Sequence, residues 1–280
     1  MKFRAVNQKI GFIGGGHMTR NFLAGLVTRP EIEAKQVSVF DRNPPKNEAL
    51  ARDFGVLISK SAKYLIENCD VLVISIKPQG LAKALIPLRT SFTENKPLVI
   101  SLAAGTTLSS LEAILGENIA IIRAMPNMAS KLGLGATGLL ANSNVNASHR
   151  QIAQFFSDSV GISAWVDSDA DIDSITALSG SGPAYFMLFI EHLAQVANDA
   201  GINHQDALRF ATQTAIGAAK LVEQSEQSIN TLIDSVCSKG GTTEQAVMQL
   251  NEDQLQKLVF NAFNAAKKRS QELANLAASA

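Results

Sequence analysis

Residues 9–19 read Lys-Ile-Gly-Phe-Ile-Gly-Gly-Gly-His-Met-Thr, and the order of residue types in them decides the fold of the first half. The run Lys9–Ile13 has strand character, Met18–Val27 has a helical period, and three glycines lie between. Gly14 permits a tight turn, and Gly16 lets backbone approach a pyrophosphate held at a helix N-terminus. Gly15 lies between them, and His17 and Met18 begin the helix beside the ligand. Thr19 stands where the dinucleotide-binding pattern has Gly or Ala. A glycine pattern alone is a weak sign, so the flanking elements must carry it.

They do so through about Val166. Further strand candidates are Gln36–Phe40, Val71–Ile76, Leu98–Leu102, Ala120–Met125, Gly135–Leu140 and Ser163–Val166. Amphipathic segments Asn47–Phe54, Ala62–Glu67 and Ser109–Leu115 alternate with them, and Ser109 with Glu112 has capping-box spacing. This alternation predicts an α/β domain, a Rossmann-type, doubly wound parallel sheet, over residues 1–168.

From Asp169 the strand signals stop. Pro183 suits the first turn of a helix running to Ala200, and Gly201 suits its end. Further helices read as Gln205–Gln224, Ile229–Cys237, Thr243–Leu250 and Gln254–Leu276. Small residues over Leu208–Val222 allow close helix contacts. Residues 169–280 are therefore expected to form an all-α domain that buries an apolar face against a second copy, as a homo-oligomer.

Within the helical half, Ser238-Lys239-Gly240-Gly241-Thr242-Thr243 forms a glycine turn opening a helix. The first N–H groups of a helix lack partners inside it and carry partial positive charge, which suits a small carboxylate or phosphate. A plain helix–helix connection would look the same in isolation. In the first half, Asp41-Arg42-Asn43 ends the second strand, where an adenosine ribose is read. Asp41 suits the 2′-hydroxyl of NAD, whereas Arg42, Asn43 and Lys46 could hold the 2′-phosphate of NADP. The sequence leaves that choice open. Ile76-Lys77-Pro78, Ala103-Ala104-Gly105 and Asn127 follow three other strands, at the edge where such sheets bind ligands, and together suggest a nicotinamide pocket.

Composition narrows the partners. Hydrophobic residues make up 46% and charged residues 18%, and 25 basic residues balance 25 acidic ones. Nothing suggests a nucleic acid or a membrane surface. The start, Met-Lys-Phe-Arg-Ala-Val-Asn-Gln-Lys, has charge but no apolar core of signal-peptide length. Cys69 and Cys237 are the only cysteines and suit a reducing compartment. A cytoplasmic protein without a metal site is expected.

At this point the chain resembles pyrroline-5-carboxylate reductase. The resemblance runs from about Lys9 to the region of Ser270, on GFIGGGHM (11–18), IKPQ (76–79), SLAAGTTL (101–108), RAMPN (123–127), ALSGSGPAYF (177–186) and SKGGTTEQAV (238–247). It implies a Rossmann domain followed by a helical dimerisation domain, with dimers often assembled into larger rings. It implies reduction of the C=N bond of 1-pyrroline-5-carboxylate to L-proline, usually with NADPH, NADH being the alternative. It also implies that the turn Ser238–Thr243 holds the substrate carboxylate, that Thr176 lies near the imine nitrogen, and that Glu226 supports this region. His17, Thr19, Met128 and Ala129 depart from the family's pattern, and Asp41 weakens the inference of NADPH.

The residues are compatible with that chemistry. A protonated imine is already electrophilic, so a reduced nicotinamide needs orientation more than nucleophiles or metals. A β-hydroxyacid dehydrogenase would need a lysine on the helix beginning at Pro183, and Pro183-Ala-Tyr-Phe-Met-Leu-Phe-Ile-Glu191 has none. A non-enzymatic NAD(P)-binding regulator would have no reason to pair the Thr176 region with the Ser238–Thr243 turn.

Overall fold

The computed structural model describes residues 8–278; the charged stretch 1–7 lies outside them. The chain forms two compact units, residues 1–181 with 266–280, and residues 182–265.

The first unit runs β1 (Ile10–Ile13), α1 (His17–Leu26), β2 (Val37–Phe40), α2 (Pro44–Phe54), β3 (Leu57–Ile58), α3 (Ala62–Glu67), β4 (Val71–Ile74), α4 (Pro78–Leu85) and α5 (Arg89–Asn95). It continues through β5 (Leu98–Ser101), α6 (Leu108–Leu115), β6 (Ile121–Met125), β7 (Gly135–Ala141), α7 (Ala147–Asp158), β8 (Gly161–Trp165) and α8 (Asp169–Ile175). A π-helical turn, Thr176–Gly180, comes after α8.

The strands form one sheet in the order β3-β2-β1-β4-β5-β6-β7-β8. Strands β1, β4 and β5 are buried along their whole length, as a sheet covered on both faces requires. Alternate side chains build the two cores. Phe12, Val73, Ile100 and Ile122 belong to one, and Ile13, Leu72, Val99 and Ile121 to the other. In the first core the Phe22 and Phe156 rings stack at 4.6 Å, joining α1 to α7.

Two sequence expectations need correction. The sheet is not wholly parallel, because β6 and β7 pair antiparallel. The connection 126–134 is too short for the crossover of about a dozen or more residues that a parallel pair requires. The α6 cap is Thr107, whose hydroxyl accepts from the Ser110 N–H, so Ser109–Glu112 is not a capping box. Glu112 instead accepts from Asn142 Nδ2 at 2.9 Å. The compact units divide at Ser181, whereas the periodicity changes at 168/169. Helix α8 stays with the sheet because the Ile175 side chain packs over Gly138 of β7.

The second unit comprises α9 (Gly182–Asp199), α10 (His204–Gln224), α11 (Ile229–Val236), α12 (Thr242–Glu252) and the first part of α13 (Leu255–Ala278). Its buried core is small, built from Ala194, Ala207 and Ala211 with Ile190 and Ala197 against them. Phe186 is 72% exposed and Phe210 71%, and Phe189, Val196, Leu258 and Phe260 are exposed as well. Apolar exposure on this scale marks a surface that meets another protein. Lys220 pairs with Glu223 on the exposed face of α10. No helix among the described residues is long and apolar enough to cross a membrane.

Truncating Phe156 to alanine removes the ring stacked on Phe22 and lowers unfolding stability by about 3–5 kcal/mol, measurable by denaturant titration.

Candidate active site

The glycine loop is shaped by its backbone neighbours. Gly14 has φ +104°, and a side-chain carbon there would lie 2.5 Å from the Ser75 carbonyl oxygen. Its N–H donates to the Phe40 carbonyl at 2.8 Å, so the turn is fastened between the ends of β2 and β4. Thr19 is buried, and its hydroxyl donates to the Gly14 carbonyl at 2.5 Å. That bond gives this departure from Gly or Ala a positive use. Gly15 donates its N–H to Asp41 Oδ2 at 2.7 Å. Beside the loop is a cleft of about 560 Å³, lined by Gly15, Gly16, His17, Met18, Ile76, Lys77, Ala103 and Ala104 among the residues expected there.

Gly14, Asp41, Arg42, Asn43, Pro78 and Asn127 do not line this cleft. Pro78 is the first residue of α4, and Lys77 is its N-cap. Arg42 and Asn43 lie exposed at the end of β2. Both oxygens of Asp41 accept backbone hydrogen bonds, from Gly15 and, at 2.8 Å, from Asn43. Asn47 in turn holds the Asp41 backbone, accepting from its N–H and donating to its carbonyl. Asn127 also works inside the protein: Nδ2 donates to the Ser179 carbonyl at 2.9 Å, and Oδ1 accepts from the Ala136 N–H at 3.3 Å. It ties the end of β6 to the π-helical turn rather than offering a free amide to a ring.

Sequence reasoning missed Arg20, Ser75 and Leu102 on the cleft wall and assigned Lys46 only to the phosphate rim. Arg20 lies one helical turn beyond Gly16, a spacing that could have flagged it. Its Nη1 is 2.8 Å from Asp53 Oδ2, and its guanidinium lies over the Phe54 ring. Lys46 Nζ is 3.9 Å from Asp41 Oδ2.

Thr176 ends α8 and starts the π-helical turn. Such turns are frequent at functional sites. Its hydroxyl donates to the Ile172 carbonyl at 2.8 Å, so its proton is committed and its lone pairs remain to accept.

In the second unit, Gly240 has φ +71° and Gly241 is the N-cap of α12, with no side chain capping the helix start. The helix begins at Thr242, one residue before its expected start. The Thr242, Thr243 and Glu244 N–H groups thus have no partner within the helix. The Gly241 N–H returns to Ser238 O, and the Gly240 N–H donates to Glu244 Oε2 at 2.7 Å, a contact the sequence did not suggest. Glu226 is exposed between α10 and α11 and makes no hydrogen bond to this turn.

Among the described residues no group of three or more His, Cys, Asp or Glu is placed to hold a metal ion. Burial, helped by the Asp70 charge, pushes the Cys69 thiol up to about 12, so it remains protonated near neutrality.

Comparison with known proteins matches most of the chain. Residues 169–273 match the family model for pyrroline-5-carboxylate reductase dimerisation, and residues 9–105 match that for NADP oxidoreductase, coenzyme F420-dependent. The chain is 36% identical to pyrroline-5-carboxylate reductase of Pseudomonas aeruginosa, over 95% of this chain and 97% of that protein. It is 34% identical to the Escherichia coli enzyme of that name, over 96% and 99%. A solved structure of a pyrroline-5-carboxylate reductase from Coxiella burnetii superposes with a TM-score of 0.92 at 38% identity, covering 95% of this chain and 98% of that one. The Plasmodium falciparum pyrroline carboxylate reductase, solved with NADP bound, gives 0.83 at 26% identity, covering 97% and 100%. With similarity over nearly its whole length, and with a glycine-loop cleft and a matched dimerisation region, the chain belongs to the pyrroline-5-carboxylate reductase family.

Proposed function

We propose that this chain reduces the C=N bond of 1-pyrroline-5-carboxylate to L-proline, the last step of proline biosynthesis, with NADPH as the preferred cofactor. The observation that carries the reading is the cleft beside Gly15, Gly16, Ala103 and Ala104, in a chain similar to these reductases over nearly its full length. NADPH, when bound, supplies the hydride.

The chain's own residues hold and orient. Gly16, His17 and Met18 present the start of α1 to a pyrophosphate. Ala103 and Ala104 leave room for a flat ring. Holding the reactants in reacting geometry contributes about 7–11 kcal/mol in favourable cases. The turn Ser238–Thr243 supplies backbone N–H groups suited to the substrate carboxylate, and Thr243 adds a hydroxyl. Thr176 suits the nitrogen end. With its hydroxyl donating to the Ile172 carbonyl, it accepts a hydrogen bond from the protonated imine rather than delivering a proton. The substrate nitrogen therefore arrives protonated, and the proton stays on it as the C=N bond becomes the amine.

NADPH is favoured over NADH by how Asp41 is used. Its carboxylate is taken up by two backbone N–H groups and partly balanced by Lys46, leaving Arg42 and Lys46 as the rim facing a 2′-phosphate. The helical unit is proposed to pair two chains into a homodimer through its exposed apolar residues, and dimers into a ring. A cytoplasmic location is proposed with it, on the balanced charge and cysteine usage.

Mixing the protein with 1-pyrroline-5-carboxylate and following reduced-nicotinamide absorbance, with NADPH and NADH in parallel, tests the reading. Proline formation with NADPH oxidation supports it; cofactor binding without turnover defeats it. Arg42→Ala should weaken NADPH about 10- to 150-fold while sparing NADH, since a hydrogen bond to a charged group contributes about 1.5–3 kcal/mol; equal losses would remove Arg42 from the phosphate rim. Thr243→Ala should raise the Michaelis constant for substrate well above any change for cofactor, and parallel rises would argue against the carboxylate assignment.

A further inference from the structure

The C-terminal part of α13 packs in the first unit, at two places that bear on the reaction. Ser270 Oγ donates to Asp173 Oδ1 at 2.6 Å across 97 residues of sequence. Both residues are buried, Ser270 6% exposed and Asp173 7%. One turn further on, Leu273 and Ala274 lie 3.5–3.7 Å from where a side-chain carbon on Gly105 would be. Gly105 has φ +69° and directly follows Ala103 and Ala104 of the cleft wall.

Asp173 connects directly to Thr176. The Thr176 N–H donates to the carbonyls of Asp173 and Ile172, and its hydroxyl donates to the Ile172 carbonyl. Two other buried groups hold the same segment. Arg123, 2% exposed on β6, pairs with Asp169 at the start of α8, and Asn127 holds Ser179 at its far end. Three anchors from three separate elements thus fix residues 169–180. Those at the two ends come from the strand and loop beside the segment, whereas the central one comes from the last helix of the chain.

We propose that Ser270 is a positioning residue for the reduction: through Asp173 it sets the place of the Thr176 hydroxyl. The inference rests on the reading of Thr176 as the partner of the substrate nitrogen. A hydroxyl in a buried hydrogen bond to a carboxylate has a narrow range of positions. Without it, Asp173 would be left buried with an unpaired charge and would turn toward water, carrying the α8 end with it. The approach of Leu273 and Ala274 to Gly105 does not depend on the Ser270 hydroxyl, so the cofactor loop should keep its place.

The test is steady-state kinetics on folded protein, with Ser270→Ala, Ser270→Thr, Thr176→Ala and the double variant Ser270→Ala/Thr176→Ala. Ser270→Ala should lower kcat roughly 10–100-fold, the range for small displacements of a reacting geometry, with little change in the Michaelis constant for NADPH. Ser270→Thr keeps the hydroxyl and should restore most of kcat. In the Thr176→Ala background, Ser270→Ala should cost little more. If Ser270→Ala does not fold, Ser270→Cys fills the space with a weaker donor and should show the same split. Wild-type kcat in folded Ser270→Ala would overturn the proposal. So would a full multiplicative loss in the double variant when Thr176→Ala is itself impaired. Wild-type kcat in Thr176→Ala would instead overturn the role given to Thr176, and the route from Ser270 with it.

Discussion

The approach of Gly14 to the Ser75 carbonyl is the constraint on which the first unit depends. A side chain there would collide with backbone at 2.5 Å, and its φ of +104° is one that other residues rarely adopt. The closeness lets β1 turn directly into α1 while β2 and β4 lie on either side. The cofactor cleft, the N–H groups of α1 and the fastening of Gly15 to Asp41 all depend on it. Thr19 then closes the loop from below, through a hydroxyl that an alanine would lack.

Much of this was legible because burial leaves a strong trace. Strands covered on both faces must be continuous apolar runs, and β1, β4 and β5 read that way from composition alone. The glycine loop and the turn at Ser238–Thr243 were legible for a different reason, since backbone turns need particular residues. By contrast, β3 is two residues long, with Leu57 and Ile58 each 49% exposed, and such a strand has no periodicity to find. The boundary between the compact units was equally hidden. Asp169–Ile175 is helical, as α9 is, and only packing assigns it to the sheet.

The site was legible in its backbone and less so in its side chains. Residue type alone suggests that Asp41 reads a ribose and that Asn127 reads an amide. In the structure their polar atoms are taken by nearby N–H and carbonyl groups. Groups that could bind a ligand instead hold the loops that form the ligand's walls. Ser270 was hidden for the opposite reason. One serine in an amphipathic helix near the end of the chain looks solvated, and its partner lies far away in sequence.

The reversal between β6 and β7 has a consequence for where the chain can deliver a side chain. Because β7 and β8 run against the first six strands, β8 heads down the sheet but ends at Trp165, level with Ala124 of β6. Helix α8 then climbs back, from Asp169 beside Arg123 to Ile175 over Gly138, which pairs with Met125 at the upper end of β6. Thr176 therefore arrives at the carboxyl rim, the rim on which the glycine loop lies. Had the last two strands continued in parallel, the chain would leave the sheet at that rim and descend. The same α8 would then carry its final residue away from the glycine loop rather than toward it. One connection too short to cross over thus directs the chain's ascent toward the cofactor.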